Sequence, residues 1–135
     1  MVTAVIDDWH DAAAAADEER YFGHMTDGAV FLGTDATERW TKAQLRAYAH
    51  PYFAKGKVWS FRSVRRVVTF SADGAVAWFD EDLATPNLGP CRGSGVLVLD
   101  GTAWRIAQYD LSVPIPNGVL DQVKKIIADA PAPRH

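Results

Sequence analysis

Apolar residues at Val2, Ile6, Trp9, Ala13 and Ala16 recur at spacings of four and three, which places them on one face of a helix. Asp7, Asp8 and Asp11 fall on the other faces, and His10 reads as a solvated position beside them. The alanine run 12–16 adds helix propensity. Asp17 supplies a cap for a short second helix through Tyr21 and Phe22, with Gly23 as its stop. Asp27-Gly28 reads as a turn and Ala29–Leu32 as a short strand. The stretch from Gly33 to Trp40 has no period and reads as a loop. Thr41 with Gln44 three residues on makes a capping box, after which Leu45, Tyr48, Ala49 and Tyr52 share a helical face. Pro51 is expected to end or kink that helix near His50.

Beyond Gly56 the pattern changes to long strands. One is expected from Trp59 to Phe70, and Asp73-Gly74 turns it back into Val76–Leu83. The chain from Cys91 to Ser112 then reads as a hairpin turning at Asp100-Gly101, apolar near its turn and polar far from it. That contrast predicts a sheet with one packed end and a polar pocket at the other. Pro114 and Pro116 end the last strand. Asn117 is placed to cap a C-terminal helix whose apolar face is Val119, Leu120, Val123, Ile126 and Ile127. Helices followed by a four-strand antiparallel meander predict an α+β fold, a curved sheet with helices on its concave side. Gly93 and Gly95 mark places where the sheet would bend.

The chain of 135 residues reads as one domain over 1–130, with 131–135 as a disordered tail. A net charge of −3 speaks against nucleic acid or an anionic membrane as the main partner. Arg62, Arg65 and Arg66 form the one basic cluster, and they divide between both strand faces. The single cysteine, Cys91, has no partner for an internal disulfide and reads as a small buried residue, which fits the cytoplasm. The N-terminus lacks the features of a signal peptide, and no stretch reads as a membrane span.

Strand alternation places Trp104, Ile106, Gln108, Asp110 and Ser112 on one face. If even-numbered positions of the partner strand lie opposite, Arg92 and Ser94 join them. Arg92 beside Asp110 would then be either a structural ion pair or a pocket pair, the arginine and Gln108 holding an oxyanion while Asp110 moves a proton. Asp35, in a loop before Trp40, is either a general base or an Asx-turn residue bound to its own backbone. Asp80, Glu81 and Asp82 fall opposite Arg65 and Arg66, so cross-strand ion pairs are the simplest account, the alternative being that one acid, Asp80 or Glu81, faces the pocket. His24, Trp40, Tyr48, Tyr52, Trp59, Asp80 and Ser94 are the expected pocket lining. No HxH, HExxH or cysteine pair points to a metal, and no cofactor motif is present.

The blocks GTDATERW, HPYFAKGKVWSF, AVAWFDEDL, CRGSGVLV and WRIAQYDLSVPIPN closely resemble a branch of the SnoaL-like proteins, within the nuclear transport factor 2-like superfamily. They run in the family's order from about Trp9 to Asn117. The resemblance implies a cone-shaped domain with a pocket at its open end, often paired as a homodimer. It implies a small, partly apolar organic ligand and, for an enzyme, cofactor-independent acid-base chemistry such as isomerisation, dehydration or cyclisation. The alternative is a non-catalytic homodimeric association or ligand-sensing module.

Overall fold

A computed structural model describes residues 1–131, so all of the expected tail but Pro131 lies outside the described residues. Two helices come first, α1 (Val2–Ala14) and α2 (Glu18–Gly23). Then follow β1 (Met25–Leu32), β2 (Arg39–Thr41) and α3 (Lys42–Ala54). The meander is β3 (Arg62–Phe70), β4 (Val76–Thr85), β5 (Gly89–Asp100) and β6 (Ala103–Ser112). A 3-10 turn at Asn117–Val119 leads into α4 (Leu120–Asp129). The six strands form one sheet in the order β2-β1-β6-β5-β4-β3. The meander is antiparallel as expected, whereas β1 joins its edge parallel to β6.

Local chemistry accounts for most boundaries. Asp17 accepts from the Arg20 backbone N–H at 3.2 Å and starts α2. Thr41 and Gln44 close the capping box at 3.2 and 3.0 Å. Three expectations are corrected. The loop after Gly33 is short, because Gly33 N–H donates to the Glu38 carbonyl at 2.8 Å and returns the chain as β2. Asp27-Gly28 lies within β1, where the pairing with β6 slips between Met25 and Val30. α3 continues past Pro51 to Ala54. Leu45, Ala49 and Phe53 anchor the helix on both sides of the proline, and the carbonyl it leaves free belongs to exposed Ala47.

The core lies in the concave side of the sheet, roofed by α1 and α3. Ile6, Trp9, Tyr21, Phe22, Leu97, Ile106 and Tyr109 are sealed within it. A bulge in β6 decides which residues reach it. Val96 pairs with Gln108 and Leu97 with Ile106, so Ala107 is the extra residue. Trp104 and Ile106 therefore face inward before the bulge, and Tyr109 and Leu111 after it. Gly95 sits opposite with no room for a side chain, since a Cβ there would lie 2.3 Å from the Gln108 carbonyl oxygen.

α4 stands apart. Its apolar stripe is exposed, with Ile126 and Ile127 more than 60% open to solvent, and among the described residues it has no substantial neighbour besides the 3-10 turn. Asn117 makes no side-chain cap there.

Candidate functional site

At the wide end of the cone lies an open cavity of about 270 Å³. Phe31 on β1 and Trp40 on β2 are paired across the short hairpin and both line it. The capping box sets α3 so that Leu45 and Tyr48 form a second wall, and the Tyr48 ring stacks on Trp40 with centroids 5.0 Å apart. Trp59, Ser60 and Phe61, on the irregular approach to β3, form a third. The β4–β5 turn, Thr85 to Leu88, closes the rim. Thr85 Oγ1 donates to the Gly89 carbonyl at 2.9 Å and accepts the Leu88 N–H at 3.0 Å. Leu111 and Phe31 form the floor. The polar side chains on this lining are Thr34, Glu38, Ser60, Thr85 and Asn87.

Below the floor is a buried polar cluster. Glu81 is 1% exposed. Its Oε1 accepts from Arg66 Nε at 3.0 Å and Nη2 at 2.7 Å, and its Oε2 from His10 Nε2 at 2.7 Å and the Tyr109 hydroxyl at 2.8 Å. Arg66 also pairs with Asp7 at 2.9 Å, which ties α1 to β3. Burial pushes the Glu81 carboxyl upward, but the hydrogen bond from His10, the positive charges of His10 and Arg66 and the Tyr109 hydroxyl outweigh it and hold the pKa at about 2. Burial and then the Glu81 charge push the Tyr109 hydroxyl far above the phenol range. Four donors occupy the carboxylate's acceptor positions, so the cluster is built to hold a charge in place.

The cluster joins residues that the sequence reading treated apart. The Arg66–Glu81 ion pair matches the expected cross-strand pairing, and Glu81 is the acid that faces inward. His10 is corrected from a solvated position to a buried one, 3% exposed. Its spacing of four from Ile6 and three to Ala13 was the available signal. Tyr109 was missed because alternation was carried straight through Ala107.

That bulge also relocates the proposed catalytic set. Gln108, Asp110 and Ser112 lie on the outer face of the sheet, with Arg92 and Ser94 beside them. Arg92 is opposite Ser112 and Asp82, while Asp110 is opposite Ser94, so the expected Arg92–Asp110 pairing does not form in register. Asp80 is outward too, because Glu81 next to it points in. Asp35 accepts from the Thr37 N–H at 2.9 Å and hydroxyl at 2.7 Å, the geometry of an Asx turn. His24 lies off the cavity, 2.6 Å from Asp8, which also pairs with Arg20. Trp40, Tyr48 and Trp59 line the cavity, and Tyr52 extends their row of rings at its outer side, 5.6 Å from Tyr48.

The sequence profile of the SnoaL-like domain matches residues 2–116. The chain belongs to the SnoaL-like family. No curated protein sequence is similar to it. Among solved structures, this SnoaL-like chain is similar to an NTF2-like protein of unknown function from Pseudomonas putida, at 14% identity over 86% of each chain and a TM-score of 0.70. It is similar also to a cystatin-like protein of unknown function from Nostoc punctiforme, at 12% identity over 84% of this chain and 88% of that one, with a TM-score of 0.70. A candidate ketosteroid isomerase from Parabacteroides distasonis gives 16% identity over 85% and 86%, with a TM-score of 0.65. These likenesses establish the NTF2-like α+β fold of the SnoaL-like domain. No helix among the described residues is long and apolar enough to cross a membrane.

Proposed function

We propose that this SnoaL-like protein binds a small, flat, largely apolar organic molecule in the cavity at the wide end of the cone. The observation that carries the reading is the lining itself, rings from four separate segments around about 270 Å³ of open space. That size suits a ligand of roughly ten to fifteen non-hydrogen atoms, at the small end of known sites. The fixed, fully bonded state of Glu81 favours binding over proton transfer as the role of the cone. Ser60 is exposed and lines the cavity, so Ser60→Trp fills it without touching the core. Indane should bind the wild-type protein, read by tryptophan fluorescence, and Ser60→Trp should weaken it at least tenfold. Equal binding by both proteins would place the ligand elsewhere.

The same reading includes a homodimer through the outer face of the sheet. Across the strands, Arg65, Asp82 and Arg92 form one row and Val67, Asp80, Ser94 and Asp110 the next, followed by Thr69, Trp78, Val96 and Gln108. A two-fold axis would set the arginines of one copy against Asp80 and Asp110 of the other, around Trp78, which is 46% exposed. Sedimentation should give a dimer at micromolar concentration, and Trp78→Arg should give a folded monomer. A wild-type monomer refutes this part. The lone, buried Cys91 fits a reducing, cytoplasmic setting.

A further inference from the structure

One charge sits among the rings of the cavity. Of the described residues on the lining, Glu38 alone carries a charge at neutral pH, and no Lys, Arg or His accompanies it there. Its side chain is held at the β1–β2 hairpin, where Oε1 accepts the Asp35 N–H at 3.0 Å. Gly33 makes the room for it, since a Cβ there would lie 2.9 Å from both Glu38 Cβ and Oε1. Among the described residues, Glu38 Oε2 has no hydrogen bond and the carboxylate no ion pair. Glu81 is the contrast, a carboxylate whose two oxygens are fully occupied by four donors. Closing the hairpin needs an acceptor at position 38 and not a charge, because the amide of a glutamine would accept the Asp35 N–H equally well. The negative charge is left without a structural use.

What surrounds that charge is aromatic. Phe31, Trp40, Tyr48, Trp59 and Phe61 all line the cavity. The π-system of a ring attracts a cation, that of tryptophan most strongly, and two of these five rings are tryptophans. Glu38 stands close to the stacked pair of Trp40 and Tyr48. Its charge acts on the Tyr48 hydroxyl, where burial first, then Tyr52 and then Glu38 push the phenol above its ordinary value. A carboxylate and a set of rings favour the same sign of charge. Both attract a cation, and an anion brought here would be desolvated beside a like charge with no cationic side chain to pair with.

We propose that the ligand is a cation, a flat apolar frame bearing a protonated amine, with Glu38 as its counter-charge beside the Trp40–Tyr48 stack. The assignment rests on the reading of the cavity as a small-molecule site and adds the chemical class of the ligand. It also gives Glu38 a part in specificity, separate from its bond within the hairpin.

The test uses three probes on one frame, read by tryptophan fluorescence at neutral pH: indane, aminoindane as the ammonium cation, and indanecarboxylate as the anion. Wild type should bind aminoindane roughly tenfold more tightly than indane, the effect of one charge-assisted contact, and indanecarboxylate most weakly of the three. In Glu38→Gln, which keeps the acceptor for the Asp35 N–H and removes the charge, the ratio of aminoindane to indane affinity should fall to about one. Wild-type affinity for aminoindane no higher than for indane, or indanecarboxylate binding as tightly as aminoindane, overturns the cation assignment and leaves the cavity reading intact. A preference for aminoindane that persists in Glu38→Gln overturns Glu38 as the counter-charge and the proposal with it. Failure of all three probes to bind wild type overturns the cavity reading and the cation assignment together. The wild-type comparison decides the sign of the charge even if the variant fails to fold.

Discussion

Glu81→Gln should cost about 3–5 kcal/mol of unfolding free energy, the usual loss when one partner of a buried ion pair is removed. The amide offers one acceptor where the carboxylate offered two, while Arg66, His10 and Tyr109 still present their donors. A domain of this size holds about 5–15 kcal/mol in all, so the variant should sit near its unfolding threshold. The pH dependence gives a second reading of the same interaction. The folded pKa of about 2 lies below the ordinary 4.5, so the ionised group is favoured by folding. Its contribution is complete above about pH 5 and is lost as the pH falls toward 2, a change of about 3 kcal/mol at about 1.4 per unit. Arg20 and His24 also hold Asp8 below its ordinary range, but that pair is part-exposed and survives in the variant. Urea unfolding of both proteins from pH 7 to 2.5 therefore isolates Glu81. The wild-type advantage should shrink across the acid limb. A loss under about 1 kcal/mol at pH 7, or a constant difference across the limb, would show that the cluster holds no net stability.

Gly93→Ala should be nearly as damaging, though it adds one methyl group. A Cβ at Gly93 would lie 1.9 Å from the Tyr109 hydroxyl oxygen, 2.6 Å from its ring carbon and 3.1 Å from Glu81 Oε2. The tyrosine has nowhere to go, since its ring is held by Trp9, His10, Phe31 and Phe79. Overpacking of this kind costs roughly 1–3 kcal/mol, and displacing the hydroxyl also strips a donor from the buried carboxylate, for a total of about 3 kcal/mol or more. Gly23→Ala is the control, because nothing lies within 4 Å of a Cβ there and its backbone is not left-handed. That change should stay within about 0.5 kcal/mol. Similar losses at the two glycines, by denaturant titration, would mean that the Gly93 contact relaxes freely.

The two variants meet in the part of the molecule that the sequence disclosed least. Helices α1 to α3, the caps of α2 and α3 and the four long strands follow from spacing, turn residues and the change of period near Gly56. The pairing of Arg66 with Glu81 follows from the Asp73-Gly74 turn. What alternation could not supply is the single extra residue at Ala107. A bulge carries no side-chain signature of its own, and reading through it turned Asp110 and Gln108 inward and Tyr109 outward. The cavity was legible in its rings, Trp40, Tyr48 and Trp59, since aromatics near helix ends and loops must pack somewhere. It was illegible in its acids, because an Asx turn at Asp35 and a base at Asp35 look alike until the loop is closed.

α4 has a consequence for how the chain responds to heat and exchange. It lies beyond the stretch shared with the family, 2–116, and none of its ten residues is buried. A helix of that length alone in water is only marginally formed. Its opening is therefore decoupled from the cooperative melting of the cone, and its amides would exchange on the timescale of local fraying while those of β5 and β6 wait for global unfolding. The molecule holds two independent equilibria, and helix content alone would report their sum.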